Sequence, residues 1–318
     1  MKVAPTFATC LVTIALATLT GCNHQQDESM SSSPKLTSES MRTVCVGRYT
    51  VDLPRSADHF KMAQSFNGIR IDVRTPSNDQ QLREAILQAA PVGASMATGS
   101  LSSPPNDMPP GGVFQVSNDG EDLHTLRAYI LKQDVAFSFS VQVLSDSVAG
   151  AKVAISKLMQ SVRPRGNLET PTEPGLCIDN GFIPGAPSDR EFVYLTGNLP
   201  ESKSGFGVGT DTASRGTKKN IIERLATLPP ALANLVSSSS KTLRSHSRNV
   251  AGRDGDEYDI VDKSASTASF EWTAMPGDDR ALEPWIDIKL DSDGPVSESE
   301  QNQLLVVWDA ILNSVKRR

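Results

Sequence analysis

Val135-Ala136-Phe137-Ser138-Phe139-Ser140-Val141-Gln142-Val143 alternates apolar residues with small or polar ones along its whole length. That period of two puts Val135, Phe137, Phe139, Val141 and Val143 on one face of a half-buried strand, as in an antiparallel sheet covered on one side. Ile69, Ile71 and Val73 alternate in the same way upstream. Between the two strands, Asn78 with Gln81 predicts the start of a helix carrying Leu82 and Ile86. Downstream, Val148, Ile155, Leu158, Met159 and Val162 share a helical stripe, and Pro164 ends that helix. Strands interrupted by one helix and closed by another predict an α+β layer.

The same plan recurs in the second half of the 318 residues. The first half opens at Cys45-Val46-Gly47-Arg48-Tyr49-Thr50-Val51-Asp52-Leu53-Pro54, the second at Cys177-Ile178-Asp179-Asn180-Gly181-Phe182-Ile183. A helix with Ile221, Ile222 and Leu225 precedes the Pro229-Pro230 break, and alternation returns at Tyr258/Ile260, Phe270/Trp272 and Ile286/Ile288/Leu290. Ser297 and Glu300 form a capping box ahead of a stripe of Leu304, Leu305, Trp308, Ile311, Leu312 and Val315. The closing sequences rhyme, Ser161-Val162-Arg163-Pro164-Arg165 against Ser314-Val315-Lys316-Arg317-Arg318, and their basic residues suit the negative end of a helix dipole. The expected architecture is α+β with two similar domains, each a mainly antiparallel sheet packed with two helices. The domains span residues 43–163 and 175–318. Residues 164–174, with Pro164, Gly166, Pro171 and Pro174, form the linker between them, where few contacts should cross. Pro104, Pro105, Pro109 and Pro110 mark Gly99 to Gly112 as an exposed connection.

The chain begins with an export signal. Lys2 is a short basic region, Phe7 to Leu19 is uncharged and mostly apolar, and Leu19-Thr20-Gly21-Cys22 ends the stretch with small residues before a cysteine. The quartet resembles the lipobox of bacterial lipoproteins, which implies cleavage of residues 1–21 as a signal peptide and acylation of Cys22. Several acyl chains, at about 0.8 kcal/mol per buried CH₂, would anchor the protein durably. Residues 22–42 hold almost nothing apolar and read as a flexible tether. The expected location is the periplasm, lipid-anchored to the bacterial membrane and assigned to the outer membrane. Cys10 leaves with the signal and Cys22 is taken by lipid, so Cys45 and Cys177 remain in an oxidising compartment. They can bridge, or stay two small buried thiols; spacing along the chain does not decide, because a bridge needs Cα atoms within about 7 Å.

Composition excludes some partners. The chain has 31 basic and 37 acidic residues, a net charge of -6, and 5% aromatic residues. Nucleic-acid binding needs a clustered basic face or stacking rings, so no nucleic-acid partner is expected. Beyond the signal no apolar run reaches the roughly 20 residues of a membrane span. No G-x-S-x-G, H-E-x-x-H, G-x-x-x-x-G-K-[ST] or C-x-x-C occurs, so no enzyme, cofactor or metal is expected. His59, His124 and His246 are dispersed. Arg253-Asp254-Gly255-Asp256-Glu257 lacks a full calcium-ligand series and reads as a tight turn at Asp254-Gly255. Gly205, Gly207 and Gly209 alternate around Phe206 and Val208 and read as an edge strand or a close backbone contact.

The two cysteine-led openings, with Gly252 to Glu257, Phe270-x-Trp272 and the Trp308-Asp309-x-Ile311-Leu312-x-Ser314 end, resemble immunity proteins that protect bacteria from type VI secretion phospholipase effectors. The resemblance spans about residues 43–318. It implies a periplasmic, non-enzymatic binder that grips a lipase effector between two domains, so the expected partner is a secreted phospholipase. Phe182, Tyr194 and Phe206 are its candidate contact aromatics, read as exposed, with core packing the alternative. The Pro-rich Gly99 to Gly112 and the serine-rich Ser237 to Ser240 depart from that family. An envelope lipoprotein with a structural or assembly role, without an effector partner, is the competing reading.

Overall fold

The computed structural model describes residues 40–74, 80, 81, 84, 108–214 and 221–318, apart from seven side chains within 221–237. The expected signal peptide, Cys22, most of the tether, the helix of Leu82 and Ile86, most of the Gly99 to Gly112 connection, and the side chains of Ile221, Ile222 and Leu225 lie outside the described residues. No helix among the described residues is long and apolar enough to cross a membrane.

The first half opens with a hairpin, β1 (Met41–Val46) and β2 (Tyr49–Pro54), followed by β3 (Asp58–Phe66), β4 (Ile69–Arg74), β5 (Val113–Asn118), β6 (Leu123–Lys132) and β7 (Val135–Leu144). Helix α1 (Val148–Ser161) and the short β8 (Arg163–Pro164) close it. The second half repeats this order with one strand more. A hairpin of β9 (Gly175–Ile178) and β10 (Gly181–Pro184) precedes β11 (Glu191–Leu199), β12 (Ser204–Asp211), α2 (Ile221–Ala226) and α3 (Pro230–Ser239). Strands β13 (Ser240–Val250), β14 (Arg253–Asp262), β15 (Ala268–Ala274) and β16 (Trp285–Ser292) follow, then α4 (Glu298–Ser314) and β17 (Lys316–Arg317). The fold is therefore mostly antiparallel sheet with few helices, the α+β class expected.

The two halves do not stand apart. One antiparallel sheet of 11 strands runs β13-β14-β15-β16-β12-β11-β3-β4-β7-β6-β5, and its centre is the pairing of β11 with β3, Glu191 opposite Phe66 through Asn198 opposite Asp58. A single apolar core runs beneath it from Phe137, Phe139 and Met159 to Trp272, Phe270 and Trp308. Residues 36–318 form one compact unit. The linker expected at 164–174 is likewise crossed by contacts: Arg165 is buried and reaches the carbonyls of Ile178 and Gly181.

The rhyme of the closing sequences has a structural cause other than the helix dipole. Each half's last strand joins the other half's opening hairpin: β8 pairs with β10, Phe182 opposite Arg163, and β17 pairs with β2, Thr50 opposite Lys316. Both helices end in an extended residue, Val162 (ψ 136°) and Val315 (ψ 129°), because each must release the chain into a strand. At the start of α4 the capping box is present: the Glu300 N–H donates to Ser297 Oγ at 3.3 Å, and the Ser297 N–H donates to the Glu300 carboxylate at 2.8 Å.

The opening hairpins meet at the join. Cys45 and Cys177 form a disulfide with Cα atoms 5.9 Å apart, and Gly47 exchanges two backbone hydrogen bonds with Cys177. Arg48 donates from Nε and Nη2 to both Glu191 oxygens at 2.7 Å, and from Nη1 to the Gly185 carbonyl at 2.9 Å. A bidentate, nearly buried pair of this kind fixes orientation as well as distance, so it holds the first hairpin against the start of β11. Arg318 lies 3.2 Å from both sulfurs of the disulfide and stacks over Phe182.

Candidate functional site

Side chains alternate across the shared sheet, so the face opposite the core is defined by register. It carries Phe192, Tyr194, Thr196 and Asn198 of β11, paired with Gly205, Gly207, Gly209 and Asp211 of β12 and, on the other side, with Lys61, Ala63 and Ser65 of β3. Next come Trp285, Asp287, Lys289 and Asp291 of β16, then Ser269, Glu271 and Thr273 of β15. In the first half the same face shows Arg70, Asp72 and Arg74 of β4, Ser138 and Ser140 of β7, and Thr125, Arg127 and Tyr129 of β6.

A groove of about 610 Å³ opens on this face across the join, between His59 and Lys61 of the first half and Tyr194, Lys289 and Asp291 of the second. Its floor depends on the alternating glycines. A Cβ at Gly209 would stand 2.3 Å from Tyr194 Cδ2, and one at Gly207 would stand 2.5 Å from its hydroxyl oxygen, so the tyrosine lies along the bare backbone of β12. The close contact expected at these glycines is therefore to a side chain, and β12 is an internal strand instead of an edge.

Electrostatics on this face are tightly linked. Lys289 lies 3.6 Å from both Glu271 and Asp287. Burial pushes the Asp287 carboxyl up to about 6, although Lys289 and a hydrogen bond from Thr273 act against it. Burial also raises the Tyr194 phenol, helped by the negative field of Asp287. Tyr194 is thus a neutral hydrogen-bonding group on a largely apolar ring, suited to contact with a protein surface.

Of the sequence candidates, Tyr194 points onto this face, and Phe206 lines the groove floor from the core side. The exposure expected of Phe182 and Phe206 is corrected: Phe182 is fully buried beside the disulfide, between Arg163 and Arg318, and Phe206 faces the core edge-on to Phe60. Both sit at inward positions of their strands, where the alternation that makes them look prominent also buries them. The tight turn expected at Asp254-Gly255 falls instead at Ala251-Gly252, both at positive φ, while Asp254 and Gly255 lie within β14. No group of three or more metal-ligating side chains occurs among the described residues. His59 is exposed at the groove, His124 meets Ser145, and His246 lies beside Glu257, so the histidines do not converge. Lys61, Lys289 and Asp291 were not legible as a group, because each is an ordinary solvent-facing strand residue until the register of four strands brings them together.

Beneath α4 lies a second polar cluster. Glu257 is fully buried and accepts hydrogen bonds from Arg244, Arg248 and Trp308 Nε1, each at 3.0 Å, while both arginines also pair with Asp309. Burial opposes ionisation of Glu257, but the arginine hydrogen bonds outweigh it and hold its pKa below the ordinary value. Neighbouring Asp259 is driven the other way, to about 8, by burial and by the charge of Glu257. Both Asp259 carboxyl oxygens are buried without a hydrogen-bond partner, which favours the protonated form. Glu257 and Asp309 brace the helix.

Two half-sheets thus share one core and present a polar groove at their join. Residues 169–318 match the family model described as Tle cognate immunity protein 4 C-terminal domain. The fold is that of the immunity protein TplEi of T6SS, the type VI secretion system, from Pseudomonas aeruginosa in its apo form: TM-score 0.72 and 21% identity over 87% of this chain and 97% of that one. A chain of the Tle4–Tli4 complex superposes with TM-score 0.73 and 20% identity, covering 89% of this chain and 99% of its own. TplEi bound to an "L" peptide gives TM-score 0.70 and 22% identity, over 88% and 98%. No curated protein sequence matches the chain. Residues 169–318 thus match an immunity-protein family model, and most of the chain shares its fold with type VI secretion immunity proteins, the family its motifs resemble.

Proposed function

We propose that this chain is an exported immunity lipoprotein that binds a type VI secretion phospholipase effector in the periplasm and blocks it without chemistry of its own. The observation that carries this reading is the family match over residues 169–318, joined to a fold shared across 87% of the chain with an immunity protein. The Leu19-Thr20-Gly21-Cys22 quartet supports acylation at Cys22 and retention at the outer membrane, where the protein would meet a lipase directed at the envelope. Contact comes from one shared sheet, with each half supplying part of the grip around the groove of Tyr194. Because the halves are fused through β3 and β11, inhibition works by occupying the effector's surface and needs no hinge between separate bodies.

The test is a titration of the purified effector with residues 23–318, following phospholipid hydrolysis. Inhibition should saturate at about one protein per enzyme. Inhibition at substoichiometric ratios, or none at all, would sink the proposal. For the anchor, fatty-acid labelling of the full chain should mark the wild type and spare Cys22→Ala; an unlabelled wild type removes the lipoprotein assignment.

A further inference from the structure

Charge on the groove-bearing face is not mixed. In the first half Lys61, Arg70, Arg74 and Arg127 stand against Asp58 and Asp72, a formal charge of +2 on strands β3, β4 and β6. In the second half Asp211, Glu271, Asp287 and Asp291 stand against Lys289 alone, a formal charge of -3 on β12, β15 and β16. Strand β14 adds Asp254, Asp256 and Asp262 to the acidic side. Asp72 is already held by Arg70, and Asp119, which reaches the outer end of the basic half, is occupied by Ser117, Thr125 and Gln142. Arg74 and Arg127 have no hydrogen-bond or ion-pair partner among the described residues. Asp119 still feels the charge of Arg127, but in a chain of net charge -6 the segregation of arginines on one half-sheet leaves a local positive field that a complementary surface can meet.

We infer that this face selects and orients its partner by charge: an effector protein docks with an acidic patch over Arg74 and Arg127 and a basic patch over Glu271 and Asp291, the groove marking the boundary. The inference rests on the proposed function and goes beyond it by stating which partner surface meets which half. Complementary potentials of this kind speed encounter and fix register, while a partner of the opposite polarity, or of uniform charge, meets like charge on at least one half. The dipolar arrangement also distinguishes this face from a general anion- or cation-binding surface.

The experiment measures association of residues 23–318 with the purified effector at 50 mM and 500 mM salt. It uses the wild type, Arg74→Glu with Arg127→Glu, Glu271→Lys with Asp291→Lys, and Lys157→Glu on the outer side of α1 as control. Each double variant should associate about tenfold more slowly at low salt and within about twofold of the wild type at high salt, where screening shortens the reach of charge to a few ångström. The control should be unaffected. Arg74→Gln with Arg127→Gln, a milder change with a smaller expected loss, serves if a reversal disturbs folding. Tight wild-type binding with both double variants unimpaired overturns the charge assignment and leaves the immunity function standing. No binding by the wild type at either salt removes the function on which it rests. A dimer in sedimentation that Arg74→Glu dissociates would assign the face to a second copy of this chain, and so overturn the inference.

Discussion

Helices α1 and α4 hold corresponding places in the two halves, yet they rest on different chemistry. Helix α1 buries Ile155, Leu158 and Met159 against β6 and β7, with Ser156 the one polar side chain beneath it. Helix α4 buries Leu304, Trp308, Ile311 and Leu312, and also reaches through Trp308 and Asp309 to the network of Glu257, Arg244 and Arg248. Apolar packing is indifferent to pH and tolerates repacking. A buried ion network is neither: it fixes one arrangement, and losing a member leaves its partners buried without compensation. The same fold is therefore sealed by volume on one side and by specific hydrogen bonds on the other.

The sharpest way to break that comparison is to truncate the corresponding side chains. Trp308→Ala should cost about 5 kcal/mol, because it opens a large cavity and leaves Glu257 one donor short. Met159→Ala should cost about 3 kcal/mol, from the cavity alone. Urea unfolding of residues 23–318 measures both, and equal losses would mean that the network adds nothing to the second half.

Next in size is the bond that ties the halves together. Replacing both Cys45 and Cys177 by Ser frees a loop with a sequence separation of 132 and should cost about 4 kcal/mol. A loss below about 1 kcal/mol would show that the shared sheet and the exchanged strands β8 and β17 already restrict the chain as much as the disulfide does.

A further difference between the halves shows in their response to pH. Asp259 is pushed to about 8 in the fold and titrates near 4 when unfolded, so the unfolded state releases its proton first. Stability from this group is then fully present below about pH 4 and declines as pH rises toward 8. Glu257 and Asp309, held low, act in the opposite sense and lose their contribution only as pH falls below the usual carboxylate range. Asp259→Asn should flatten the limb between pH 4 and 8 in a series of thermal melts. An unchanged slope would show that Asp259 is ionised in the fold.

Much of this was legible before any coordinates. The alternation at Val135 to Val143 is strand β7 to within a residue, the Ser297–Glu300 box starts α4, and the repeated plan correctly pairs β1–β2 with β9–β10. The candidate surface was legible only in Tyr194. Phe182 and Phe206 looked like contact residues because an aromatic in a strand reads the same whichever face it takes; one inward position buried each of them.

Strand, helix and cap are set by neighbours a few residues apart, through hydrogen bonds to the local backbone and the period at which apolar side chains recur, so the sequence alone determined them, along with the duplication and the lipobox-like quartet. Which edges pair is decided by other physics. Strands β3 and β11 each present N–H and C=O groups along one edge, and joining them satisfies both while merging the apolar layers of the two halves into one core. The exchange of β8 and β17, the partner of Cys45, and the division of one face into a basic and an acidic half all follow from that join. They exist only in three dimensions, because every one of them depends on residues that the sequence keeps far apart.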